Sequence, residues 1–460
     1  MDTCMKFAFA VFSALGLIVL LKTNKQVPLP YMDEIFHVSQ VQAYCKGNFS
    51  HWDPKLTTPP GLYIVSLLFA KVSHLLWISQ GDGCSLTFLR SYNYILSLML
   101  FFVVQSLVTS LSPTKSSLYK ALTTFTIMIF PVSFFFHFLY YTETISSLFV
   151  LYGYKAALDR RYWYSSMILL LSLFMRQTNV VYAAMIMGWS VLQELNFLSG
   201  ENSANLAINV KAYNTRVLET FIAPFKELYF LSLQHAAYLF KIFSGYMIVF
   251  SAFLTFVKAN HGVVLVLHFP QMYYFILFLA GSCFPSIARV VVDPIYFFRR
   301  NFLRSWRLLI YIITCLFMLY TVKMYTIEHP FVLSDNRHFS FYIWKDIYRK
   351  HESIRYLLVP VYFYAGWMCW RAIAKSKSLI WCLTTILGIA LTLVPTPLLE
   401  FRYFIIPYYI FRLHIDQPST SRVLVELSIN VLVNLSVLYL FFNKTFSWPS
   451  EPDAVMRFMW

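Results

Sequence analysis

MKFAFAVFSALGLIVLL, residues 5–21, is strongly apolar from end to end except for Lys6, and windows of the same character recur down the chain. The clearer ones are 5–21, 61–78, 92–111, 121–139, 145–158, 163–191, 236–257, 263–284, 308–322, 354–370, 379–398 and 423–442. Apolar runs near 20 residues match the hydrocarbon thickness of a bilayer, which predicts an all-α polytopic membrane protein with about 12 transmembrane helices. Unbroken rather than alternating apolar runs exclude a transmembrane β-barrel. The 145–158 window is short for a crossing. The 163–191 window is long, with Arg176-Gln177 in its middle, and reads as one tilted helix or two short ones.

Composition agrees. Of 460 residues, 58% are hydrophobic and 13% charged, against about 25% charged in soluble domains, too few to coat a surface in water. The net charge of +16 would raise nucleic acid as a partner in a soluble protein. Here the basic residues sit at window ends and in short loops, so the expected partner is the lipid bilayer and not nucleic acid. Loop 285–307 holds Arg289, Arg299, Arg300, Arg304 and Arg307, and loop 371–378 holds Arg371, Lys375 and Lys377. The positive-inside tendency places both in the cytosol. Loops 22–60, 325–353 and 399–422 then face the other compartment, provided that 163–191 counts once. The sequon Asn48-Phe-Ser50 fits that side, whereas Asn434-Leu-Ser436 lies inside a window and reads as a chance match.

The segment 194–227 reads as a flexible cytosolic connector. With no internal repeat and no second soluble region, residues 1–460 read as a single integral membrane domain. Met5–Leu21 is expected to be a retained first helix, since it lacks a small-x-small cleavage site. Seven cysteines (4, 45, 84, 283, 315, 369, 382) show neither CxxC nor metal spacing, so no disulfide framework is implied.

Between the first two windows lies a dense polar island. It opens with Tyr31-Met-Asp-Glu-Ile-Phe-His37 and closes with His51-Trp-Asp-Pro-Lys-Leu-Thr-Thr-Pro-Pro-Gly-Leu-Tyr63. On a helix Asp33 and His37 share a face at i, i+4, and Glu34 and His37 at i, i+3. Carboxylates at a membrane boundary are costly to keep, and a general base needs such a group with a tuned pKa. The plainer reading is an acid pair that caps a short helix or pairs with lysine. One histidine beside two acids is an incomplete ligand set, so no metal is expected. Trp52 and Asp53 suit sugar stacking with hydroxyl recognition. A rigid aromatic and proline belt explains Trp52 equally well but leaves Asp53 unexplained.

Four further constellations stand out. Glu143, in Tyr140-Tyr-Thr-Glu-Thr144, is the only acid from Leu86 to Leu158; an isolated acid at membrane depth is a functional candidate, or a helix-end acid satisfied by its threonines. Arg176, in Arg176-Gln-Thr-Asn179, is placed to pair with Glu143 or to bind an anion. Asp335-Asn-Arg-His338 offers Arg337 and His338 to a phosphate oxygen, and Leu399-Glu-Phe-Arg-Tyr403 reads as a turn or break before the next span.

Taken together, Tyr31–His37, Trp52-Asp-Pro54, Thr57-Thr-Pro59, Gly61-Leu-Tyr63, Met175-Arg-Gln-Thr-Asn179, His268-Phe-Pro-Gln271, Asp335–His338, Leu399–Tyr403 and Arg457-Phe-Met-Trp460 resemble the motifs of the dolichyl-phosphate-glucose α-1,2-glucosyltransferases. The resemblance runs nearly end to end. One departure falls at Lys258–Gly262, where a longer Gly-Gly…Gly-Asp stretch of the family is absent.

The resemblance implies a GT-C type, metal-independent, inverting glycosyltransferase without cofactor, multi-pass in the endoplasmic reticulum membrane with its active site in the lumen. Its donor is dolichyl phosphate β-glucose. Its acceptor is the diglucosylated, dolichyl-pyrophosphate-linked oligosaccharide, and the step is the last in N-glycan precursor assembly. No stable protein partner is inferable. By motif, the lumenal loop 22–60 carries the base, Asp33 with Glu34 as the alternate. Arg337, His338 and Arg402 are the expected donor phosphate-binding residues. His37, Trp52, Asp53, Glu143 and Arg176 are the expected sugar or acceptor contacts. A transporter or flippase of lipid-linked sugars would use the same charges without chemistry, but usually carries internal repeats, and none is visible. A non-catalytic scaffold or channel regulator leaves the clustered acids unexplained.

Overall fold

A computed structural model describes residues 2–76, 83–214, 218–259, 266–288, 292–301 and 305–460. The calls on Arg289, on Arg304 and on 260–262 of the Lys258–Gly262 stretch lie outside the described residues. Among those residues the chain is almost wholly helical, and six helices are long and apolar enough to cross a membrane: Thr3–Gln26, Leu86–Leu111, Ala236–Ala259, Leu308–Tyr325, Ile354–Ala374 and Thr420–Asn443. Only 22% of the apolar window of the first of these is buried in protein, so its remaining surface requires lipid rather than water. The polytopic all-α reading holds. Several of the other expected spans are shorter helices, including Gly61–Leu75, Tyr162–Leu173 and Leu379–Leu393.

By its internal contacts the chain forms two compact units, Met1–Ala204 with Lys226–Val263, and Asn205–Phe225 with Val264–Trp460. The first unit contains α1 (Thr3–Gln26), α2 (Glu34–Cys45), α3 (Gly61–Leu75), α4 (Leu86–Leu111), α5 (Ser117–Met128), α6 (Pro131–Phe136), α7 (Thr142–Leu158), α8 (Tyr162–Leu173) and α9 (Asn179–Leu198). After α10 (Leu218–Gln234), α11 (Ala236–Ala259) returns to it. Helix α7 is its centre, packed against α4, α8 and α9, and its side chains from Thr142 to Leu148 are all buried. The 121–139 window is interrupted because Pro131 starts a new helix instead of continuing α5.

Two of the expected windows are resolved here. Window 163–191 is two helices, α8 and α9, joined by a turn that carries Arg176. Window 61–78 holds a shorter apolar helix, α3. Gly61 at the head of α3 donates to the Phe174 carbonyl at 2.8 Å. Further along α3, Phe69 packs on Phe88 and Tyr92 in the first turns of α4. Those turns sit beside the end of α1, where Arg90 reaches the Val27 carbonyl. The head and middle of α3 therefore stay at one end of the bundle. At about 1.5 Å per residue its 15 residues are also too short for the hydrocarbon core.

The cysteine reading is corrected as well. Cys45 and Cys84 form a disulfide, with Cα atoms 6.6 Å apart, that ties the end of α2 to the segment before α4. Spacing along the chain carries no hint of it, because the partners are 39 residues apart. The segment 194–227 carries local secondary structure among the described residues. It holds the end of α9, short 3-10 turns and the start of α10, with Ile208 and Ala212 buried.

The second unit holds α12 (Pro270–Ser282), α13 (Phe284–Ile287), α14 (Val292–Asn301), α15 (Ser305–Tyr325), α16 (Pro330–Ser334), α17 (Phe339–Ile343), α18 (Ile354–Leu357), α19 (Val359–Ala374), α20 (Leu379–Leu393), α21 (Ile405–His414) and α22 (Thr420–Asn443). An antiparallel hairpin, β1 (Thr445–Trp448) with β2 (Glu451–Arg457), follows, with Thr445 opposite Arg457.

Candidate active site

Asp33 is the N-cap residue of α2 and directly follows Met32, whose φ of +55° is in the left-handed region. Such a conformation costs a non-glycine residue about 1–2 kcal/mol and persists only where its surroundings enforce it. Here they do. The Asp33 amide donates to the Tyr141 hydroxyl at 3.1 Å. Glu34, one residue on, is locked from every side. Its Oε1 accepts from Arg90 Nε at 2.9 Å and from the Tyr140 amide at 2.7 Å. Its Oε2 accepts from Arg90 at 2.5 Å and from the Tyr31 amide at 3.0 Å.

Glu34 and Arg90 both have no exposed side-chain surface. Arg90 spends its remaining donors on the Val27 carbonyl at 2.6 Å and the Leu29 carbonyl at 3.3 Å. A carboxylate with four donors on its two oxygens has little capacity left for a substrate proton. It instead holds together the end of α1, the head of α2, the start of α4 and the Tyr140 junction. Asp33, in contrast, is only half-buried.

The i, i+4 geometry expected of Asp33 and His37 is realised on α2. His37 is buried, its Nδ1 2.8 Å from the Tyr63 hydroxyl, and its ring meets those of Tyr140 and Tyr141 edge-on. Burial raises the Tyr63 phenol well above its ordinary pKa, and the carboxylates of Asp53 and Asp33 add to that shift. Tyr63 therefore feels both acids. Trp52 is 39% exposed and packs edge-on to the same Tyr63 ring at 6.1 Å. The 51–53 segment is stapled down by the buried Gln40, which donates to the His51 carbonyl at 2.7 Å and accepts from the Asp53 amide at 3.0 Å.

Glu143 occupies the first turn of α7, where a negative charge complements the helix dipole. Arg176 donates to it at 2.8 Å, the pairing anticipated from the sequence. The turn that carries Arg176 is fixed by two contacts. Asn179 donates to the Ser172 carbonyl and to Ser146, each at 2.9 Å. A Cβ on Gly61 would lie 2.3 Å from the Phe174 carbonyl oxygen, so only glycine permits α3 to approach that turn. Asp33, Glu34, His37, Trp52, Asp53, Glu143 and Arg176 thus all belong to one end of the first unit.

Sequence reasoning missed Arg90, Gln40 and Asn93. Asn93 donates to the Phe136 and Leu139 carbonyls and so shapes the Tyr140-Tyr141 junction. A faint signal existed for Arg90, a charged residue among the apolar residues that lead into the 92–111 window. Nothing local distinguishes Gln40 or Asn93.

The second unit gathers the remaining motifs around its C-terminal segment. Arg337 makes a two-pronged ion pair with Asp335, 2.8 Å on each side, and lies 4.7 Å above the Trp448 ring. Burial alone would raise the Asp335 carboxyl, but the Arg337 donors outweigh it and hold it below the ordinary range. His338 Nδ1 is 2.7 Å from the main-chain oxygen of Trp460. The Trp460 ring packs edge-on to both Phe339 and Phe401. Arg402 pairs with Glu400 in a 3-10 turn, Phe401–Phe404, which agrees with the break expected there. Below it Gln271 donates to the Leu398 carbonyl at 3.0 Å. Arg337, His338 and Arg402 therefore share one motif cluster with the His268–Gln271 and Arg457–Trp460 stretches.

Similarity to known proteins can be set beside this geometry. The chain is 37% identical to a Mus musculus protein over 94% of its own length and 93% of that relative. It is 35% identical to a Homo sapiens protein over the same shares. It is 32% identical to an Arabidopsis thaliana protein over 99% of its length and all of that relative. Each of the three is named Dol-P-Glc:Glc(2)Man(9)GlcNAc(2)-PP-Dol alpha-1,2-glucosyltransferase. No solved structure matches the chain. The family model described as DIE2/ALG10 covers residues 27–413, from the first polar loop through α21, and with these end-to-end relatives it makes the chain a member of the DIE2/ALG10 family.

Proposed function

We propose that the protein transfers glucose from dolichyl phosphate β-glucose, in α-1,2 linkage, to the diglucosylated dolichyl-pyrophosphate oligosaccharide. The observation that carries this reading is similarity over nearly the whole chain to relatives named for that reaction. A multi-pass membrane enzyme suits two substrates that are both anchored in lipid.

The chemistry is one in-line displacement. The acceptor 2-hydroxyl oxygen forms a bond to the anomeric carbon as the bond from that carbon to the phosphate oxygen breaks. The electron pair leaves on dolichyl phosphate, the hydroxyl proton passes to a carboxylate, and configuration inverts from β to α. We assign the base to Asp33, because Glu34 beside it is committed to Arg90 and two backbone amides. His37, Trp52, Asp53 and the Glu143–Arg176 pair form its sugar-facing surroundings. Arg337, His338 and Arg402 are assigned to the leaving phosphate, whose developing charge needs cationic donors. The motif end of each unit is assigned to the endoplasmic reticulum lumen. Two features support that side: the Cys45–Cys84 disulfide, which persists in an oxidising compartment, and the exposed Asn48 sequon.

The test uses the purified full-length protein, a synthetic glucosyl lipid phosphate and a diglucosylated acceptor. Asp33→Asn is expected to lose at least about a hundredfold in transfer, the usual scale for a general base, with the protein still folded. Near-normal transfer by that variant would remove Asp33 as the base. Loss of wild-type transfer on chelation would overturn the metal-independent mechanism, and failure to form any glucosylated product would return the reading to a transporter.

A further inference from the structure

In the second unit the α18–α19 stretch and α22 are long enough to run between two ends, and α12 and α20 pack against α19. At the motif end the His268 amide donates to the Val394 carbonyl at 2.8 Å, Tyr273 stacks on Tyr362 at 5.9 Å, and Arg457 reaches the Phe441 carbonyl at the close of α22. At the other end the Asp416 amide donates to the Ala372 carbonyl at 2.9 Å, and Ser286 bonds to Glu426 in the second turn of α22. Helix α22 has 24 residues, so the ends are about 36 Å apart, a bilayer's thickness.

A pocket of about 430 Å3 opens at this second end. Arg371, Lys375 and Arg422 line it, together with Asp416, Ser286 and Ser419. Three cations against one acid leave an excess of positive charge. The floor adds none, because the buried Glu426 is already matched by Arg412 at 2.7 Å. Arg371 is pre-positioned, its guanidinium 4.8 Å above the Trp367 ring and 3.4 Å from the Ile287 carbonyl. Ser419 is the N-cap of α22 and its side chain makes no capping bond, and the positive end of the helix dipole lies beside the cations. Convergent cations, the Ser419 hydroxyl and a helix N-terminus form a receptor for a phosphate group. Basic pockets between transmembrane helices are the usual seats of anionic lipid headgroups.

We propose that this pocket binds the phosphate headgroup of an anionic phospholipid in the leaflet opposite the motif cluster. With the motif end lumenal, as proposed above, that is the cytosolic leaflet. The site is separate from the transfer chemistry, and neither Lys375 nor Arg422 is assigned a part in it.

The experiment titrates full-length protein in phosphatidylcholine nanodiscs with phosphatidic acid, and in a second arm with inorganic phosphate alone. Wild type is expected to bind phosphatidic acid and to be thermally stabilised by it. Lys375→Gln with Arg422→Gln should weaken that binding by about 25-fold, roughly fivefold per cation, while the transfer rate stays at the wild-type level. Lys375→Arg with Arg422→Lys should restore it. Equal binding by wild type and the double Gln variant overturns the proposal. Stabilisation by inorganic phosphate as strong as by the lipid, and lost in the same variant, would keep the phosphate chemistry but overturn the lipid as its source. Because glucosyl transfer is read separately, failure of this site and failure of the glucosyltransferase reading give different results.

Discussion

Asp33 and Glu34 are neighbours of nearly identical chemistry, yet their surroundings divide them. Glu34 is enclosed by Arg90 and two amides, whereas Asp33 stays half-buried next to Tyr63 and Tyr141. Removing one member of a buried pair strands the other charge, at about 3–5 kcal/mol. Glu34→Gln is therefore expected to lower thermal stability strongly, and Glu34→Gln with Arg90→Gln to recover part of it together with part of the transfer activity. A folded double variant with no activity would move the catalytic role back to Glu34. At Asp335 the depressed carboxyl pKa gives stability that is complete above the ordinary carboxylate range and lost as pH falls through the lowered value. The thermal midpoint should thus be insensitive to this pair between about pH 5 and 7 and drop on further acidification. Asp335→Asn should flatten part of that acid limb in a melting series. The choice between Asp33 and Glu34 was not legible in the sequence because the deciding partners, Arg90 and Tyr140, are 56 and 106 residues away.

At the scale of elements, α3 matters most. Its composition is that of a spanning helix, but its head is pinned to the turn after α8, its middle lies on the start of α4, and α2 packs along it. It thereby carries Tyr63 under Asp33, Asp53 and His37, and it braces the Arg176 turn. Gly61→Ala would drive a methyl into the Phe174 carbonyl, so the backbone must give way. Overpacking of this kind costs about 1–3 kcal/mol. The variant should melt earlier and transfer more slowly, and Gly61→Ala with wild-type stability would show that α3 is free to shift. Apolar run length found the long helices, since burial against lipid or protein is written in local composition, and missed the shorter ones in the polar loops such as α2 and α21. It did not tell a helix that crosses from one that lies along an end, because that depends on what each terminus touches.

For the whole molecule, the covalent tie between Cys45 and Cys84 closes the polar loop onto the bundle. Its removal by Cys45→Ser should cost about 2–4 kcal/mol on loop-closure grounds, read as a lower melting temperature. A non-reduced digest of protein from cells should contain the linked 45 and 84 peptides. Free thiols at both positions would count against a lumenal loop 22–60. Within the first unit every candidate acid lies at one end, and within the second the cluster around Trp460 collects three separated motifs. Each unit is thus built with chemistry-bearing loops at one end and helices below them.

The sequence by itself determined the membrane class, the long helices, the polar loops and the family, because hydrophobic length and motif chemistry are local properties of the chain. It also offered Glu143 as one of two partners for Arg176, since opposite charges in apolar surroundings require a partner, and the ion pair forms. Only the tertiary structure decided which carboxylate is locked in an ion pair, that Cys45 meets Cys84, and that the head and middle of α3 stay at one end of the bundle. Each of these depends on residues brought together from far apart in the chain, and such contacts leave no periodicity or spacing to read.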